Sequence, residues 1–134
     1  MGDKALVLVL GDQLSFNNPA IRNANPQLDT VLLAEVAQEA QYVRHSRHKL
    51  VLLFSAMRHF AQALRTRGFT VIYRRLDEDV ASLTQACVDA LAQLPEVSLL
   101  RVCASGEYRV EQLIESWAAE LGVPVERLED DRYL

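Results

Sequence analysis

The chain has 134 residues, of which 50% are hydrophobic and 24% charged, with 5 Gly and 4 Pro. That is the profile of one globular domain of ordinary size, long enough to bury a core without disulfide staples. Fourteen basic against eighteen acidic residues give a net charge of −4, which excludes a domain-wide basic footprint for nucleic acid and leaves room only for a local patch. No apolar run approaches the roughly 18 residues of a membrane span. The start, Met1-Gly2-Asp3-Lys4, enters a short apolar run that stops at Gly11-Asp12, without the small-residue cleavage site of a signal peptide. Cys87 and Cys103 form no CxxC pair, which argues against a disulfide framework or a zinc knuckle. The expectation is a cytoplasmic, reduced chain with no membrane contact.

In chain order, Ala5–Leu10 is a continuous apolar run closed by Gly11, the pattern of a strand buried on both faces. Asp12 to Asp29, rich in Asn and Pro, reads as a long loop with one helical turn at Ala20–Arg22. Thr30–Ala34 is a second buried strand, ending at Glu35. From Ala37 to Arg67 there is no Gly, Pro or Asn, so helix is favoured throughout. Leu50, Leu53, Met57, Phe60, Ala61 and Leu64 share one helical face, with Arg58, Gln62 and Arg65 opposite. Leu50–Phe54 could be a strand by composition; the unbroken 3.6-residue period makes it helix, with Gly68 as its C-cap. Phe69–Tyr73 is a third strand. Asp77 or Asp79 is placed to cap a helix striped by Val80, Leu83, Cys87, Leu91 and Leu94, and Pro95 stops it. Ser98–Val102 is a fourth strand. Val110, Leu113, Ile114, Trp117, Ala118 and Leu121 mark a third main helix, closed by Gly122, and Val123–Leu128 is a short fifth strand.

Alternating strands and helices imply an α/β domain: a mostly parallel five-stranded sheet with helices on both faces, a three-layer sandwich. Rossmann-like and flavodoxin-like orders both suit five strands, and the Rossmann-like order 3-2-1-4-5 is favoured. Either order places a ligand at the carboxyl ends of the strands, beside the point where the strand order reverses. With order 3-2-1-4-5 that crevice lies between strands one and four. Gly11-Asp12-Gln13 forms one wall, Ser105-Gly106-Glu107 the other, and Glu35 stands adjacent.

Familiar catalytic signatures are missing. After strand one the chain reads Gly11-Asp-Gln-Leu-Ser-Phe, without the later glycines of a dinucleotide fingerprint, and there is no phosphate loop, nucleophile elbow or HExxH. Cys103 ends a strand, but no histidine is close in sequence, and a small buried hydrophobe is the better reading. Arg44-His-Ser-Arg-His-Lys49 is the one basic cluster; it reads as a solvated face rather than a metal site. The carboxylates say more. Asp12, Glu35 and Glu107 each fall near a strand's carboxyl end, with Glu39 one helical turn beyond Glu35. Any one alone would be a turn former or helix cap. Together they describe a crevice that repels phosphate and prefers imide or hydroxyl donors. At least three of the four are expected to line one cleft.

Four segments in order resemble one family: Leu10-Gly-Asp-Gln-Leu14, Glu35-Val-Ala-Gln-Glu-Ala-Gln-Tyr-Val43, Ser55-Ala-Met-Arg-His-Phe60 and Gly106-Glu-Tyr-Arg109. They are similar to the amino-terminal domain of the deoxyribodipyrimidine photolyase-related proteins, the bacterial iron–sulfur cryptochromes and (6-4) photolyases. The resemblance implies a Rossmann-like antenna domain over residues 1–128 that binds 6,7-dimethyl-8-ribityllumazine and harvests light for a DNA-repair or photoreceptor flavoprotein. By motif match, Gly11, Asp12, Gln13, Glu35, Glu39, Glu107 and Tyr108 are its candidate pocket residues. Tyr108 stands where family members often have Trp. The resemblance also implies a partner: a following helical domain with FAD and a [4Fe-4S] cluster, reached through a linker that begins at residues 129–134. Two cysteines cannot supply the four thiolates of such a cluster. The chain is therefore expected to be an excised piece with no catalytic or metal-ligating residue, no photolyase activity and no direct DNA binding of its own. The competing reading is a free-standing nucleotide-binding or stress-protein-like domain, against which the missing phosphate loop counts.

Overall fold

The computed structural model describes residues 4–11, 13–36, 47–75, 82–104 and 108–129, with the backbone alone at 47–50 and 108–109. Five parallel strands form one sheet: β1 (Lys4–Leu8), β2 (Thr30–Ala34), β3 (Thr70–Arg74), β4 (Val97–Cys103) and β5 (Val125–Leu128). Their order is β3-β2-β1-β4-β5. Four helices are described: α1 (Pro19–Arg22), α2 (Arg47–Thr66), α3 (Leu83–Gln93) and α4 (Tyr108–Glu120). This is the expected α/β Rossmann-like arrangement, with the order of strands reversing between β1 and β4.

The apolar runs of β1 and β2 are explained by burial on both faces. Because side chains alternate across a strand, Leu6, Leu8 and Leu32 face α3 and α4, where they meet Leu83, Ala86, Cys87, Ile114 and Trp117. Val7, Val9, Val31 and Leu33 face the other way, onto Ile21, Met57, Phe60, Ala61 and Leu64 of α1 and α2. Edge strands β3 and β5 are only partly buried.

Residues 50–54 are helical, as the periodicity requires. The helix ends in a Schellman turn: the Phe69 N–H donates to the Leu64 carbonyl (3.1 Å) and the Gly68 N–H to that of Arg65 (3.0 Å). Gly68 has φ 94°, a conformation costly for any residue with a Cβ. Other boundaries shift. β1 stops at Leu8, although the Val9 N–H still donates to Leu32 O at 3.0 Å. The cap expected at Asp77 or Asp79, positions outside the described residues, belongs to Ser82, whose hydroxyl accepts from the Gln85 N–H at 3.1 Å. Ser82-Leu-Thr-Gln85 has the spacing of a capping box. Ala118, expected on the α4 stripe, is exposed, and the buried face there is Val110, Ile114 and Trp117.

The loop after β1 is ordered by its polar residues. Asn18 caps α1 by accepting from the Ala20 N–H (2.9 Å) and donates its amide to Gln13 O (3.1 Å). Asp29 accepts from the Ala5 N–H at 3.0 Å and from the Asn25 N–H at 2.8 Å, tying the end of the loop to the start of β1. Phe16 packs on Phe60, centroids 5.1 Å apart, with the Arg67 guanidinium 3.6 Å from its ring centroid.

Candidate functional site at the carboxyl ends of the strands

Gly11 and Gln13 leave the end of β1. A Cβ on Gly11 would lie 3.2 Å from Leu53 Cδ1 and 3.6 Å from Met57 Sδ, so the glycine lets α2 sit close over the strand end. Gln13 turns back into the protein and is 5% exposed. Its Nε2 donates to Cys103 O (3.2 Å) and Ala104 O (3.1 Å), bridging the end of β1 to the end of β4. Its own N–H donates to Leu10 O at 2.9 Å. The side-chain oxygen Oε1 is buried with no hydrogen-bond partner. Such atoms are rare, because desolvating an acceptor without replacing its water costs about 1–3 kcal/mol.

Glu35 follows β2 and is fully buried. Its N–H donates to Arg74 O at 2.9 Å, which carries the β2–β3 ladder one step past the strand. Both carboxylate oxygens receive donors from the protein. Arg58 reaches down from α2, with Nε 2.6 Å from Oε2 and Nη2 2.8 Å from Oε1, and the Tyr73 hydroxyl donates to Oε2. A two-pronged guanidinium contact of this kind fixes orientation as well as charge. The hydrogen bonds to Glu35 hold Arg58 even further above physiological pH than usual. The carboxylate's charge is thus answered locally by Arg58.

Burial, and then the hydrogen bond to the Glu35 carboxylate, push the Tyr73 phenol well above its usual value of 10.0. A raised folded-state value means that the contribution to stability is full at neutral pH. It is lost as pH climbs above about 10, where the unfolded chain ionises and the folded one does not. Wild-type protein is therefore expected to lose stability more steeply than Tyr73→Phe between about pH 10 and 11. Parallel stability–pH curves from urea melts would contradict the assignment.

Asp12, Glu39 and Glu107 lie outside the described residues, as does the Tyr108 side chain, although the Tyr108 backbone opens α4. Of the four carboxylates expected to converge, Glu35 is the one whose surroundings are described. Arg58 and Tyr73 are the residues that sequence reading did not select, though Arg58 stands inside the Ser55–Phe60 motif. Cys87 and Cys103 are buried and in no disulfide, and burial pushes the Cys87 thiol up to about 12. Among the described residues there is no cluster of three His, Cys, Asp or Glu fit for a metal ion. Nor is any described helix long and apolar enough to cross a membrane.

Comparison with known proteins adds two findings. The chain is 37% identical over 131 residues to a (6-4) photolyase of Agrobacterium fabrum (strain C58 / ATCC 33970), an alignment covering 96% of this chain and 26% of the relative. It thus spans about a quarter of that protein's length. The family model for deoxyribodipyrimidine photo-lyase-related proteins matches residues 7–134, from within β1 through β5. This chain belongs to the deoxyribodipyrimidine photo-lyase-related protein family.

Proposed function

We propose that this chain is the antenna unit of a photolyase-related flavoprotein. It binds a light-absorbing chromophore, 6,7-dimethyl-8-ribityllumazine, in the crevice between β1 and β4 and passes excitation to a flavin held in another domain. Family membership supports the general reading, and the observation that carries the site is Gln13. It sits at the reversal of strand order, the usual ligand position in open α/β sheets, with a buried acceptor awaiting a donor. The lumazine offers such donors in its imide N–H and ribityl hydroxyls. Gln13 would hold it together with Asp12, Glu39, Glu107 and Tyr108, over a floor at Gly11, while Glu35 works through Arg58 to keep α2 in place.

The remaining chemistry belongs outside this chain. A [4Fe-4S] cluster takes four thiolates, and the chain's two cysteines pack on opposite faces of the sheet. On this reading FAD and the cluster sit in the helical domain of a longer protein, in the cytoplasm, and residues 1–134 carry no repair activity. With a net charge of −4 the chain lacks the phosphate neutralisation that supplies non-specific DNA affinity.

Fluorescence titration with ribityllumazine, repeated with duplex DNA at physiological salt, tests this. Saturable lumazine binding is expected, weakened about ten- to a hundred-fold in Asp12→Ala and in Glu39→Ala, with no DNA binding. Equal affinity in all three proteins would reject the carboxylate contacts. Tight DNA binding would reject the antenna role.

A further inference from the structure

The two most exposed large apolar side chains among the described residues are neighbours, Val51 at 60% and Leu52 at 57%. Both leave α2 on its outer side, away from the stripe of Met57, Phe60, Ala61 and Leu64 that meets the sheet. Ser55 and Ala56, one turn further on, are exposed as well, so two bulky groups stand beside a low step in the helix surface. Single exposed apolar residues are ordinary, but this pair and its small neighbours form a patch. The patch lies at the crevice end of the helix, since the next residue, Leu53, sits close over Gly11 at the end of β1.

The charge around it is one-sided. Residues 47–75 hold seven of the chain's 14 Lys and Arg and none of its 18 Asp and Glu. Arg58 and Arg74 meet carboxylates of other elements, Glu35 and Asp89. Arg65 and Arg67, both exposed, meet the Val71 carbonyl at 3.2 Å and the Phe16 ring, neither of which cancels a charge. Two copies paired through α2 would set these cations against one another. Two apolar side chains are too few to seat a helix in lipid, and they gain nothing from a phosphate backbone. The combination suits a protein surface with an apolar centre and an acidic rim.

Resting on the reading of this chain as one unit of a longer flavoprotein, we propose that the outer face of α2, centred on Val51 and Leu52, seats the flavin-bearing domain. That domain meets it with apolar side chains inside a rim of Asp and Glu. The chain spans about a quarter of its relative's length, and a protein of that length has ample further surface to supply the contact. Docking beside the crevice also sets a bound chromophore close to the flavin, as excitation transfer requires, because transfer weakens steeply with distance.

Hydroxyl-radical oxidation, read residue by residue by mass spectrometry, tests the contact without any chromophore. Val51 and Leu52 are expected to oxidise several-fold more slowly in the full-length protein than in this chain alone. Val88, 42% exposed on α3 across the sheet, is expected to react equally in both. In the full-length protein, Leu52→Glu is expected to restore fast oxidation of Val51, and Leu52→Lys to restore it only in part, since lysine keeps the sign an acidic partner prefers. Unchanged urea melts of both variants of this chain alone are expected, and they separate loss of docking from loss of fold. Unprotected Val51 and Leu52, protection at Val88 instead, or equal effects of Leu52→Glu and Leu52→Lys would each overturn the proposal. So would protection of this chain alone at rising concentration, which would assign the face to a second copy, or by phosphatidylglycerol vesicles, which would assign it to lipid. Failure of the lumazine titration would overturn the antenna reading and leave this contact standing.

Discussion

Arg58→Ala is expected to destabilise the domain more than Glu35→Gln does, although Arg58 is the exposed member of the pair. The Arg58 side chain is 46% exposed and that of Glu35 0%. Removing the guanidinium takes two charge-assisted hydrogen bonds from a carboxylate that has no route to water. Breaking a buried ion pair in this way costs roughly 3–5 kcal/mol, and the open arginine end places this one at or below the lower bound. Glu35→Gln instead takes charge away from the buried end and leaves a guanidinium that can turn to solvent. Its amide oxygen still accepts from Arg58 or Tyr73, so the loss is about 1–2 kcal/mol. Urea melts of the two variants measure the difference. Equal losses, or a larger loss for Glu35→Gln, would mean that the pair is not the pin between α2 and the sheet that the geometry describes.

The same pair shows where sequence reading stops. A helical wheel sees the direction in which a side chain leaves the backbone, and Arg58, Gln62 and Arg65 do leave on the solvent side of α2. It does not see the far end of a long side chain, which can run along the protein surface and deliver its charge several ångströms away. Glu35 and Tyr73 stand 23 residues before and 15 after Arg58, one just past β2 and the other on the adjacent parallel β3, and only the strand order brings them under the helix. The order itself was legible in kind. Continuous apolar runs in β1 and β2 require cover on both faces, and four β-to-β connections long enough for helices require a parallel sheet. The helix at residues 50–54 followed from period, against the strand-like composition of Leu50-Val-Leu-Leu-Phe54, because Met57, Phe60 and Leu64 continue the same stripe into the core.

The candidate site was legible as a place more than as a set of contacts. Gln13 was reachable from its position after a buried strand at the expected reversal point. Its partners were not, because Cys103 O and Ala104 O are main-chain groups 90 and 91 residues away that no side-chain pattern encodes. Glu35 was reachable for the same positional reason, yet a carboxylate at a strand end reads identically whether it meets a ligand or an arginine. Capping shows the contrast. Ser82 and Gln85 carry a local signal that two nearby aspartates obscured, and local signals of this kind are recoverable from sequence once competing caps are weighed by spacing.

Trp117→Ala is expected to cost about 3–5 kcal/mol, a loss on the scale of the whole stability of an ordinary domain. Trp117 is the largest fully buried side chain, set in α4 where it closes the core between α3 and the sheet. Its ring supplies most of that loss, by leaving a cavity in the core cluster that it shares with Ala86, Cys87, Ala90 and Leu100. A smaller share comes from the indole N–H, which donates to Thr84 Oγ1 at 2.8 Å and joins α4 to the first turn of α3. Thr84→Val separates the two contributions: it keeps the shape, strands the N–H, and should lose only about 1–2 kcal/mol. Trp117→Phe should fall between them, since it retains an aromatic ring and drops the donor together with part of the volume. Because the chain has a single tryptophan, emission reports unfolding of Thr84→Val directly, and circular dichroism serves the other two variants. A Trp117→Ala protein as stable as Thr84→Val would place the weight of this helix pair on the hydrogen bond and not on packing, contrary to the burial described.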